Sequence, residues 1–169
     1  MKTIGRTIAV ISVIVISAFA ATAQTSLTSI EGVKVDIHGQ RGKVVILAVG
    51  ASWLPLSDKQ AEFTNVLAKR YVGKDVVVFF VATDSGSSKS KNFASNDDIR
   101  KFAGANKLTV RILRDPDGET LIKKFDLDQL PAFVVLDKNG TQVGETFGGI
   151  DPKYDVTAPL SKIVDPLLN

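Results

Sequence analysis

The chain of 169 residues contains no cysteine, and its only methionine is Met1. Disulfide exchange, thiol peroxidase chemistry and thiolate or thioether ligation of a metal all need sulfur, and a chain that loses Met1 has none to offer. Histidine is almost as scarce. His38 stands alone, so no His-rich metal-ligand spacing exists, and no motif links this imidazole to a serine it could activate. There is also no arginine-rich stripe with interleaved aromatics, which argues against nucleic acid as a partner. The longest apolar run, Ile8 to Ala21, is broken by Ser12 and Ser17 and falls short of the ~20 residues that span a bilayer.

That run follows Lys2 and Arg6 and leads into Ala21 and Ala23, an A-x-A pattern, so residues 1–23 read as a signal peptide with Gln24 as the new N-terminus. The alternative is an uncleaved anchor, which would be the chain's one route to a membrane. Either way the remainder is exported, to the periplasm or the outside of the cell. Removing the segment takes two of the 21 basic residues and leaves 19 against 18 acidic ones. The 146 residues that remain suit one domain with a real core.

Val44 to Val49 and Val76 to Ala82 are near-continuous β-branched and apolar runs, as expected of strands buried on both faces of a partly parallel sheet. Between them Asp58 to Tyr71 sets Phe63, Val66, Leu67 and Tyr71 at helical spacing, which makes a βαβ unit. Residues Asp84 to Ser95 read as a solvated loop, and Ser95 or Asn96 caps a helix with Asp97 and Asp98 in its first turn. Thr109 to Leu113 reads as a strand and Asp115-Pro116-Asp117-Gly118 as a turn, without the spaced ligands of a calcium loop. Ala132 to Leu136 and Gln142 to Phe147 flank Asn139-Gly140, a hairpin signal, and a last helix starts near Thr157 and frays at Pro166.

This order of elements resembles that of thioredoxin-like proteins of the exported TlpA/ResA type. Four stretches carry the resemblance: Gly42-Lys43-Val44-Val45 leading to Ala51-Ser52-Trp53; Val76 to Asp84; Leu113 to Gly118; and Leu130-Pro131-Ala132 through Asn139-Gly140. It implies an α/β thioredoxin-like fold with a central mixed sheet flanked by helices and a C-terminal hairpin and helix. Residues 24–41 form an N-terminal extension and 42–169 the thioredoxin-like domain. It also implies a cis peptide at Pro131.

Where that family carries Trp-Cys-x-x-Cys, this chain has Trp53-Leu54-Pro55-Leu56-Ser57. Leu54 stands at the nucleophilic thiol's place and Ser57 at the resolving thiol's, so no catalytic residue is assigned. A thiolate at a helix start is stabilised by free N–H groups and the helix dipole; an isobutyl group has nothing to ionise. Ala48 stands where related proteins often bury an acid or amide. Ser57 reads as a cap or solvent-facing residue and His38 as a surface or turn residue. Trp53 is equally a packing residue or an exposed binding platform.

The leading expectation is a redox-inactive module that binds a peptide or an exported protein through Trp53, Leu54, Pro55, Leu56, Leu130 and Pro131, with no cofactor and no metal. The alternatives are an oxidoreductase role kept through some other group, against which both replaced cysteines argue, and a structural or accessory subunit. Oligomeric state is not legible.

Overall fold

The computed structural model describes residues 25–169; the expected signal segment lies outside them. Strands β1 (Ser26–Ser29), β2 (Lys34–Asp36), β3 (Val44–Gly50), β4 (Val76–Ala82), β5 (Arg111–Arg114), β6 (Ala132–Leu136) and β7 (Phe147–Gly148) form one sheet in the order β2-β1-β5-β4-β3-β6-β7. Helices α1 (Ser57–Arg70), α2 (Asn96–Ala105), α3 (Leu121–Lys124) and α4 (Thr157–Val164) flank it. β3 pairs in parallel with β4 and antiparallel with β6, so the sheet is mixed and β3-α1-β4 is the expected crossover unit. The fold class is the expected thioredoxin-like α/β class.

Why β3 lacks alternation is visible in its surroundings. Val44, Ile46 and Ala48 face a cluster with Phe63 and Leu67 of α1, Ile99 of α2 and Leu160 of α4. Val45, Leu47 and Val49 face a second cluster with Leu121 and Phe125. Both faces are covered, so all seven β3 residues are buried. On α1 the inward stripe is Ser57, Gln60, Ala61, Phe63, Thr64 and Leu67. Val66, expected on that face, is instead exposed.

α2 starts with a reciprocal cap: Asp98 N–H donates to Ser95 Oγ at 3.2 Å, and Ser95 N–H donates to Asp98 Oδ2 at 3.1 Å. Such caps contribute about 1 kcal/mol. None of the described helices is long and apolar enough to cross a membrane.

Four expectations need correction. Residues 26–36, expected within an extension, form β1 and β2 of the same sheet, and Leu27, Val35 and Ile37 are buried. The alternation there is too short to announce a strand pair by itself. The strand expected from Thr109 begins at Arg111, with Thr109 exposed. The hairpin's return strand is reduced to a bridge at Gln142 and to β7, because the backbone turns at Gly144, where φ is 73°. His38 is no ordinary surface residue: it is half-buried beneath the hairpin turn, with Nδ1 2.6 Å from the Gly140 carbonyl oxygen and Nε2 buried.

The Asp115–Gly118 turn is present as a short 3-10 turn, with Asp117 at φ 59° and Gly118 at φ 68°. Asp115 is buried and accepts the N–H groups of Thr120 (3.1 Å) and Leu121 (2.8 Å), so its carboxylate holds the start of α3. Among the described residues no group of three or more His, Asp or Glu side chains is placed to hold a metal ion.

Candidate functional site at the ends of β3 and β6

β3 ends at Gly50, and the chain turns through Ala51 to Leu56 before α1 begins. Leu54 N–H donates to Ala51 O at 3.1 Å, and Ser57 N–H reaches Leu54 O at 3.3 Å. Leu56 closes the loop at φ 69°, ψ 3°, a left-handed conformation that costs a non-glycine residue on the order of 1–2 kcal/mol. The loop turns Trp53 outward at 50% exposure and Leu56 at 37%; Pro55 is exposed and Leu54 half-buried. Both earlier readings of Trp53 are thereby narrowed to an indole with half its surface in solvent.

Ser57 is corrected. It is 1% exposed and is not the cap of α1, which has Leu56 at that position and no side-chain cap. Its hydroxyl donates to Ala51 O at 2.5 Å, tying the helix start back across the loop. Its proton is held by a carbonyl rather than a base. His38 lies at the hairpin turn, at the sheet end opposite to Gly50, since Val45 and Leu136 pair there while Val49 pairs with Ala132.

The second loop is Leu130-Pro131, whose connecting peptide is cis. Pro131 is buried and Leu130 half-buried, packed against the α3-side cluster. Because Val49 and Ala132 are partners in register, Gly50 and Pro131 stand side by side. Gly149 N–H donates to Pro131 O at 3.2 Å, bringing the end of β7 to the same place. The fold therefore gathers Trp53 to Leu56 and Leu130-Pro131 at one end of adjacent strands.

Two residues that sequence reasoning missed build this end. Gln60 is fully buried, and its Nε2 donates to Val49 O (3.1 Å) and Ala132 O (2.8 Å), joining α1 to the end of β3 and the start of β6. Gly50 is required there, because a Cβ would collide with Gln60 Oε1. The available signal was a polar stripe, Ser57, Gln60 and Thr64, at the spacing of one helix face. Asp84, also fully buried, accepts Ser52 N–H at 3.0 and 3.1 Å and Ser52 Oγ–H at 2.5 Å. Both carboxylate oxygens thus share the Ser52 N–H, and one also takes the hydroxyl, so two donors satisfy the group without a cation. It anchors the residue next to Trp53.

The arrangement offers an apolar ledge beside a cis-proline and no side chain able to form a mixed disulfide. This is the framework of a thioredoxin-like protein with its redox pair replaced. A family model, Redoxin, matches residues 17–159, and the chain belongs to the Redoxin family. It is 29% identical over 122 residues to the thiol-disulfide oxidoreductase ResA of Bacillus thuringiensis subsp. konkukian, covering 72% of this chain and 65% of that relative, so the match spans just under two thirds of the relative's length. Among solved structures it is similar to a Chlorobium tepidum protein described as a candidate thiol:disulfide interchange protein DsbE, with TM-score 0.71 and 22% identity over 86% of this chain and 94% of that one. It is also similar to the exposed lipoprotein thioredoxin Etrx1 of Streptococcus pneumoniae strain TIGR4, with TM-score 0.64 and 25% identity over 83% and 100%.

Proposed function

We propose that this chain is an exported, redox-inactive thioredoxin-fold module that binds an extended segment of another exported protein. The observation that carries the reading is the ledge itself: Trp53 and Leu56 expose apolar surface on a loop whose backbone is held by Ser57, Gln60 and Asp84, beside Leu130-Pro131. A loop fixed in this way keeps its apolar side chains outward, and their burial against a partner is favourable by about 25 cal/mol per Å² before ordering costs. The backbone of Leu130 offers strand-like pairing, and Leu54 adds side-chain contact. The basic start and A-x-A pattern before Gln24, together with relatives described as an exposed lipoprotein and a secreted oxidoreductase, support export.

An oxidoreductase role would need another group to replace both thiols, and neither Leu54 nor the buried Ser57 can do so. The test is photocrosslinking in the native host, with a photoreactive phenylalanine analogue at position 56 and, as control, at Val72, which is 77% exposed and well away from the ledge. Adducts specific to position 56, lost on Trp53→Ala or Leu54→Asp in a folded protein, are expected. Identical adducts from both positions would overturn the reading.

A further inference from the structure

The sheet ends at β7, and no strand among the described residues pairs with its outer side. Phe147 is in register with Phe133 and Gly148 with Ala132, while Gly149 N–H donates to Pro131 O. By the alternation of an antiparallel ladder, Phe147 and Gly149 turn their backbone groups to β6, and Gly148 turns its N–H and C=O outward. Gly148 is exposed, so these two groups are open to another chain.

The two faces flanking this edge differ in chemistry. On the face of α1 and α4, Phe147, Ile150, Tyr154 and Val156 line a mainly apolar hollow of about 280 Å³ that Asp151 shares, with Tyr154 58% exposed. On the face of α3, Asp126, Asp128 and Glu145 line a second hollow that has no lysine or arginine in its wall. All three carboxylates are exposed, and none takes part in the four ion pairs found among the described residues. Gly148 faces this side: a Cβ on it would meet the Gln129 carbonyl oxygen at 3.2 Å and Asp128 Oδ1 at 3.4 Å.

A strand laid against β7 would send successive side chains to opposite faces. One set would meet the apolar hollow and the other the carboxylates. We propose that β7 is a docking edge for an extended segment of a partner protein whose side chains alternate apolar and basic. Main-chain bonds to Gly148 align the segment, the Phe147–Tyr154 hollow takes an apolar side chain, and Asp126, Asp128 and Glu145 take lysine or arginine. A second copy of this chain is the wrong occupant, because two such edges paired symmetrically would set these carboxylates against each other. The proposal is independent of the Trp53 ledge, since it uses the other side of β7.

Two acetylated octapeptides test it, one alternating lysine and leucine, the other carrying four lysines followed by four leucines. Amide chemical shifts of the isotopically labelled protein report both affinity and place. The alternating peptide is expected to bind at least about fivefold tighter, to shift the outward-facing Gly148 amide most, and to lose about fivefold with the Asp128→Lys, Glu145→Lys double variant. Trp53→Ala should leave it unchanged. The proposal is overturned by equal affinity for the two peptides, by no binding at millimolar peptide, by shifts centred on Trp53 and Leu56, or by full affinity in the charge-reversed protein. Because the crosslinking at position 56 does not depend on β7, either reading can fail while the other stands.

Discussion

Ser57 donates its hydroxyl to the carbonyl of Ala51 across the very loop that carries Trp53 and Leu54. The side chain at the place of a family thiol has become a structural tie. Ala51 O also accepts Leu54 N–H, so losing the tie does not strip that carbonyl of every partner. Ser57→Ala should therefore destabilise the fold by about 1 kcal/mol, the usual net worth of one buried hydrogen bond. Urea unfolding measures this, and an unchanged midpoint would show that the tie contributes nothing.

Gln60 and Gly50 form a second coupled pair. Gly50→Ala pushes a methyl into Gln60 Oε1 with Pro131 close behind, so a loss of about 1–3 kcal/mol is expected from overpacking. Gln60→Ala removes the obstacle but also the bonds to Val49 and Ala132. In the double variant the added methyl should cost at least about 1 kcal/mol less than in the wild-type background. Strict additivity in this double-mutant cycle would rule the clash out.

Thiol chemistry should be absent. Neither Leu54 nor Ser57 can form the mixed disulfide through which exchange proceeds. Purified protein, freed of host thioredoxins, is expected to show no rate above background with dithiothreitol and an insulin disulfide. Turnover that persists through that purification would contradict the assignment.

Stability should also carry an acid signature at the C-terminus. Asp165 accepts Arg70 Nη2–H at 2.8 Å and Tyr71 Oη–H at 2.9 Å, and these bonds, that of Arg70 foremost, hold its carboxyl below the ordinary 3.8. A carboxyl whose folded pKa lies below its unfolded one stabilises the fold at pH values above the unfolded value. That contribution is lost as pH falls through the interval down to the folded pKa. Because both partners are nearly half exposed, solvent screens the pair and the effect is modest. Unfolding free energy of the wild type should drop more steeply from about pH 5 to pH 2 than that of Asp165→Asn. Parallel curves would exclude the contribution.

Much of the framework could be read directly from the chain. The runs at Val44 and Val76 are continuous because both faces of a central strand are covered, and such a pattern survives in one dimension. Asn139-Gly140 and Asp115-Pro116-Asp117-Gly118 announced turns because their backbone preferences are local. The pair β1 and β2 was missed because a three- or four-residue strand leaves almost no period to detect, and its apolar residues are explained only by α3 and β5, distant in the chain.

The sequence by itself determined what this protein cannot do: with no cysteine, no fold can supply thiol exchange, since composition sets the available chemistry before geometry acts on it. It also determined the βαβ frame, because hydrophobic periodicity is a local record of which faces will be covered. Only the tertiary structure decided where the polar residues of α1 and the loops would go. Ser57, Gln60 and Asp84 read as ordinary hydrophilic positions, yet once buried the Ser57 hydroxyl, the Gln60 side-chain NH2 group and the Asp84 carboxylate take partners at Ala51, Val49, Ala132 and Ser52, groups brought together only by folding. The outward turn of Trp53 is decided in the same way, by the bonds that hold the residues around it.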